Sequence, residues 1–88
     1  MNDTPKRKEH LAVEPMDDGL FVADFANARL HTLNPTAAAI WEMCDGDHSI
    51  ESIASLIAEH FQLSLGDVHR DVQRIVGELN REGLLESA

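Results

Sequence analysis

The amino-acid sequence predicts a small α+β domain, winged-helix-like in outline, with a three-stranded antiparallel sheet followed by three helices (βββααα). Three observations predict it. Three short apolar or alternating segments precede residue 34 and are separated by turn chemistry. At Asn34-Pro35 the spacing of apolar residues lengthens from two to between three and four. Three amphipathic segments with their own start and stop signals then carry the chain to Leu85.

The strands come first. Leu11–Pro15 alternates weakly through Leu11 and Val13, and Asp17-Asp18-Gly19 is turn chemistry. Leu20–Asp24 (LFVAD) is a short apolar run with Phe and Val, the pattern of a buried strand. Ala26-Asn27-Ala28 reads as a hairpin loop, with Asn27 a residue that tolerates the left-handed conformation. Arg29–Leu33 (RLHTL) is the third strand. Arg29 and His31 point to one face, Leu30 and Thr32 to the other; the sequence leaves open which pair faces inward. A three-stranded meander cannot close on itself, so an edge stays open. Arg29–Leu33 has no proline, no lysine and one charge, the devices that usually blunt an edge.

The helices follow. Asn34 is an N-cap and Pro35 stands at the first helical position, where its missing N–H costs nothing. Ala37, Ile40, Trp41 and Cys44 share one face, and Asp45-Gly46-Asp47 ends the helix. Ser49 caps the second helix, with Ile50, Ile53, Ala54, Ile57 and Phe61 on one face. Ser64-Leu65-Gly66-Asp67 is a capping-box variant with Asp in place of Glu. Leu65, Val68, Val72, Ile75, Val76 and Leu79 span roughly 100° of the third helix. Gly83 stops it, and Leu84-Leu85 is expected to fold back onto the core.

The chain is 88 residues long, one domain, with 7 Lys+Arg against 16 Asp+Glu and a formal charge of −9. Between Arg29 and Arg70 there is no cation, while Glu42, Asp45, Asp47, Glu51 and Glu59 lie there. That balance opposes generic phosphate binding and favours a protein, peptide or cationic partner. Residues 1–10 hold Lys6, Arg7 and Lys8 and read as a mobile tail; residues 11–86 form the domain. One cysteine excludes an internal disulfide. The longest apolar run, Ala37–Trp41, is far short of a membrane span, and the start has no signal-peptide character. A cytoplasmic protein without a membrane partner is expected.

Catalytic chemistry is not written into the sequence. Ser49 and Ser64 are explained as caps, and Cys44 lies on an apolar helical face as a structural thiol. His10, His31, His48, His60 and His69 show no metal-ligand spacing. The glycines are scattered, so no phosphate loop exists, and the two acidic turns lack the ligand alternation of a calcium loop. No cofactor is expected. Trp41 is read as core, with a partner contact as the lesser alternative. Arg70, Arg74 and Arg81 could form the ridge of a DNA-recognition helix, so a winged-helix DNA-binding regulator is the alternative function. Asp67, Asp71 and Glu78 stand at salt-bridge spacing from Arg70 and Arg74 and would neutralise that ridge.

The run Leu33-Asn34-Pro35-Thr36-Ala37-Ala38-Ala39-Ile40-Trp41-Glu42-Met43-Cys44-Asp45-Gly46 resembles the signature of the PqqD-like family, named for pyrroloquinoline quinone biosynthesis protein D. Asp71-Val72, Glu78-Leu79 and Glu82-Gly83-Leu84 are similar to that family's third helix and tail. The resemblance spans roughly residues 10–86. It implies a non-catalytic peptide chaperone, or precursor-peptide recognition element. Such a domain binds the leader of a ribosomally made peptide and presents it to a modifying enzyme, often a radical S-adenosylmethionine enzyme. The leader is implied to add as a strand to Arg29, Leu30, His31, Thr32 and Leu33, alongside the third helix. The expected groove wall is Val68, Asp71, Val72 and Ile75, although the three apolar members are also core candidates. Asp71 could meet a leader cation or pair with Arg74. The expected state is a monomer, or a homodimer paired or swapped at the strand edge.

Overall fold

The computed structural model describes residues 4–86. The order of elements is β1 (Ala12–Met16), β2 (Gly19–Asp24), β3 (Arg29–Leu33), α1 (Pro35–Glu42), α2 (Ile50–Phe61) and α3 (Leu65–Arg81). The sheet is antiparallel with spatial order β1-β2-β3, so β2 is central and both outer strands are edges. This is the expected βββααα arrangement, with strand and helix ends within a residue or two of those the sequence indicates.

The hydrophobic core explains the layering. Leu20 and Val22 of β2 and Leu33 of β3 are buried with Ile40 and Trp41 of α1, Ile53 and Ala54 of α2, and Val72 and Leu79 of α3. Cross-strand partners share a face, and Leu20 pairs with Leu33 while Val22 pairs with His31. The face carrying Leu33, His31 and Arg29 therefore looks toward the helices, and Leu30 and Thr32 look away from them. Every residue of β1 is exposed, so that strand is held by β2 rather than by the core.

The helix ends follow side-chain chemistry where a cap is available. Asn34 Oδ1 accepts from the Ala37 amide at 2.8 Å, and Ser49 Oγ accepts from the Ser52 amide at 3.0 Å. Ser64 makes no such bond, so the capping box expected there does not form. At the far end of α3, Gly83 is left-handed (φ 77°) and the Leu84 amide donates to Leu79 O at 3.0 Å. The Gly83 amide donates to Asn80 O at 3.1 Å, completing a Schellman turn. That turn aims Leu84 and Leu85 into the core, where both are buried. In the β2–β3 loop the left-handed residue is Ala28 (φ 53°), not Asn27. Asn27 is held instead by the buried Asp24 carboxylate, which accepts from its amide at 3.2 Å and its Nδ2 at 2.8 Å.

Residues 5–8, part of the segment the sequence reads as a tail, are bonded to the domain through their backbone. The Arg7 amide donates to Cys44 O at 2.7 Å and the Lys8 amide to Leu84 O at 3.1 Å. In return the Gly46 amide donates to Pro5 O at 3.0 Å and the Glu86 amide to Lys6 O at 2.8 Å. The Arg7 guanidinium sits 5.7 Å from the Trp41 ring centroid, a cation–π distance, and donates to Glu42 O at 3.1 Å. Backbone bonds of this kind read no side chains, which is why a polar sequence hid them. Residues 1–3 of the expected tail lie outside the described residues.

Two predictions follow from these local contacts. A Cβ at Gly19 would lie 1.8 Å from Leu33 O, at a φ of 133° that side-chain-bearing residues avoid. Gly19→Ala should lower unfolding free energy by roughly 2–4 kcal/mol in urea titrations. The Asp45 carboxylate accepts from the His48 ring at 2.9 Å and from the Asp47 and His48 amides, and these bonds hold its pKa down at about 2. A depressed carboxyl pKa stabilises the fold above the unfolded value of about 4. The advantage over Asp45→Asn should be full above that pH and fade as pH falls toward 2, read from paired acid-denaturation curves.

Candidate functional site: an open strand edge beside the third helix

The strand β3 pairs with β2 alone. The N-terminal segment that could have covered its outer edge is spent elsewhere, with Lys6 bridging Asp45 and Arg7 bridging Leu85. Among the described residues no backbone group is bonded to the outer side of β3.

Which amides point outward follows from the register. Pro15 has no N–H and stands opposite Leu20, a placement suited to a non-hydrogen-bonded pair on an edge strand. The two-residue turn Asp17-Asp18 makes Met16–Gly19 the closing hydrogen-bonded pair, which agrees. Hydrogen-bonded pairs alternate along each ladder, so Gly19, Phe21 and Ala23 bond to β1 while Leu20, Val22 and Asp24 bond to β3. Their partners Leu33, His31 and Arg29 thus spend their amides and carbonyls on β2. Leu30 and Thr32 are left presenting theirs to the open side.

The helix-facing side of this edge is polar at its middle. His31 Nδ1 lies 3.6 Å from Glu82 Oε2 at the end of α3, too long for a hydrogen bond. His31 Nε2 is buried without a partner. Glu82 thereby fixes which side of α3 borders β3. Asp71, Ile75, Glu78 and Glu82 fall within roughly 60° on that helix. The opposite side of the sheet carries Leu30, two-thirds exposed, beside the half-buried Phe21.

The expected wall residues separate into two kinds. Val68, Val72 and Ile75 belong to the buried core cluster, with Val72 only 1% exposed and Ile75 8%. Asp71 is exposed and does not pair with Arg74, whose guanidinium reaches Glu78 at 3.1 Å instead. The contribution of Glu82, which the sequence places in a tail motif, emerges only from its contact with His31.

Other candidates are absorbed by the structure. Cys44 is fully buried, donates to Ile40 O at 3.2 Å, and burial pushes its pKa up to about 11. A thiol so raised is a poor nucleophile. Trp41 is 4% exposed and its indole N–H donates to Leu84 O at 3.1 Å, a core role. Arg70 lies 3.6 Å from Asp67, so two of the three arginines of the possible DNA ridge stand beside carboxylates. Among the described residues no cluster of three metal-ligating side chains exists, and no helix is long and apolar enough to cross a membrane.

Residues 19–85 match the family model for coenzyme PQQ synthesis protein D. The chain belongs to the PqqD family. No curated protein sequence matches it. Three solved structures share the PqqD fold with it. TbiB1 in complex with the TbiA(beta) leader peptide is 19% identical, with a TM-score of 0.80 over 94% of this chain and 96% of that one. Lasso peptide synthetase B1 complexed with the leader peptide is 23% identical, with a TM-score of 0.81 over 96% and 99%. The PqqD truncation of Methylobacterium extorquens PqqCD, described as a stand-alone recognition element for ribosomally synthesized and post-translationally modified peptides, is 16% identical. Its TM-score is 0.76 over 99% of this PqqD-family chain and 100% of that one.

A buried polar atom without a partner costs about 1–3 kcal/mol. His31→Leu should therefore keep or raise the unfolding free energy, with a gain of roughly 1 kcal/mol in urea titrations. A clear loss of stability would show that the ring holds the fold together.

Proposed function

We propose that this chain is a non-catalytic peptide-recognition module. It binds the leader of a ribosomally made precursor peptide as a fourth strand on β3 and presents it to a modifying enzyme. The observation that carries this reading is the open β3 edge, with Leu30 and Thr32 directed outward beside α3. An extended peptide gains main-chain hydrogen bonds at such an edge and finds its specificity in the neighbouring wall. The titles of two similar structures support it, since both describe complexes with a leader peptide. The third supports it as a stand-alone recognition element.

Affinity in the micromolar range, about 8 kcal/mol, suits a short added strand. Ordering the leader offsets part of the gross gain. Arg29, His31 and Leu33 hold β3 in register, while Leu30 and Thr32 do the pairing. Asp71 and the exposed fringe of Ile75 form the wall, and Val68 and Val72 act as the packed support behind it. The modifying enzyme is a radical S-adenosylmethionine enzyme in this reading, and the setting is the cytoplasm. The same edge allows self-pairing of two copies at high concentration.

Leader segments synthesised from short reading frames beside the gene, labelled and titrated against isotope-enriched protein, test the proposal. Amide shifts should centre on Leu30 and Thr32. Leu30→Pro or Thr32→Pro removes one outward donor and should weaken binding about fivefold to tenfold, a loss of roughly 1–1.5 kcal/mol, without disturbing the β2 ladder. Shifts confined to other elements would overturn strand addition.

A further inference from the structure

We infer that the segment bound at β3 carries a lysine or arginine at the position passing His31, and that Glu82 selects it. The inference rests on the strand-addition reading and specifies the chemistry of its ligand. Residues level with one another on neighbouring strands project their side chains to the same face of a sheet, and His31 faces the helices. The residue level with His31 therefore projects to the helix side, whichever way the strand runs.

On that side it meets the stripe of α3 that borders β3. Glu78 is already held by Arg74 at 3.1 Å. Asp71 stands eleven residues before Glu82, about 16 Å along the helix, and so borders a different position of the added strand. The half-exposed Glu82 carboxylate faces His31 at a distance too long for a hydrogen bond, and His31 Nε2 has no partner. An incoming cationic donor thus displaces no existing hydrogen bond at this point. Arg29, two residues along on the same face, disfavours a base at the adjacent helix-side position and so fixes the register. A neutral donor would forgo the attraction of the Glu82 carboxylate.

Selection of a random peptide display library on the full chain, with the Leu30→Pro chain as counter-selection, tests this. Binders that need the β3 edge should share one Lys or Arg position. Synthetic copies should lose roughly twofold to fivefold in affinity when Glu82→Gln removes the carboxylate. A Lys→Glu peptide should bind the Glu82→Lys chain better than the native one. Edge-dependent binders with no shared base, or with affinity indifferent to Glu82, overturn the inference and leave strand addition standing. Failure to recover any edge-dependent binder overturns both.

Discussion

A sheet of three strands has two borders, and the core of this chain leaves one of them next to a helix. The buried residues of α1, α2 and α3 all gather on one side of β2 and β3, under Leu20, Val22 and Leu33. The helical layer therefore packs across the sheet instead of wrapping round its rim. The N-terminal segment, the other available strap, is tied to Asp45 and Leu85. What remains is a backbone edge with unmet hydrogen-bonding capacity, placed by the packing of everything else. Proteins normally spend prolines and lysines to close such an edge, and β3 has neither.

The division of labour along β3 follows from strand alternation. One set of residues anchors the strand to β2 through its main chain and to the helices through its side chains. The intervening set offers its main chain outward and its side chains to the far face. Main-chain pairing accepts many sequences, so discrimination falls to the few side chains beside the edge. Here those are His31 and Glu82, and both are polar or charged. Affinity and selectivity thus come from different atoms of the same small region.

Much of the fold was legible because the signals were local. Asn34-Pro35 and Ser49 mark helix starts, the change of apolar period marks the passage from sheet to helix, and Gly83 marks the final stop. Ser64 misled because a serine before a helix does not ensure that its hydroxyl turns to the amides. Asn27 misled because the buried Asp24 competes for its amide and side chain, leaving Ala28 to take the left-handed turn. The candidate site was half legible. The third strand was correctly placed, but the inward face of β3 depends on cross-strand register, which periodicity in five residues does not settle. Val68 and Val72 have the same spacing whether they line a groove or fill a core, and burial decided for the core. Glu82 lies far from His31 in sequence, so only the folded chain reveals their meeting.

The docked segment at residues 5–8 has a consequence for how the domain joins other polypeptides. Its backbone is bonded directly to Leu84 and Glu86, so the entry and the exit of the folded unit lie side by side. A polypeptide attached ahead of residue 5 and one attached after residue 86 would leave from neighbouring points on the surface. Partners attached at either end would therefore hang from the same region of the domain.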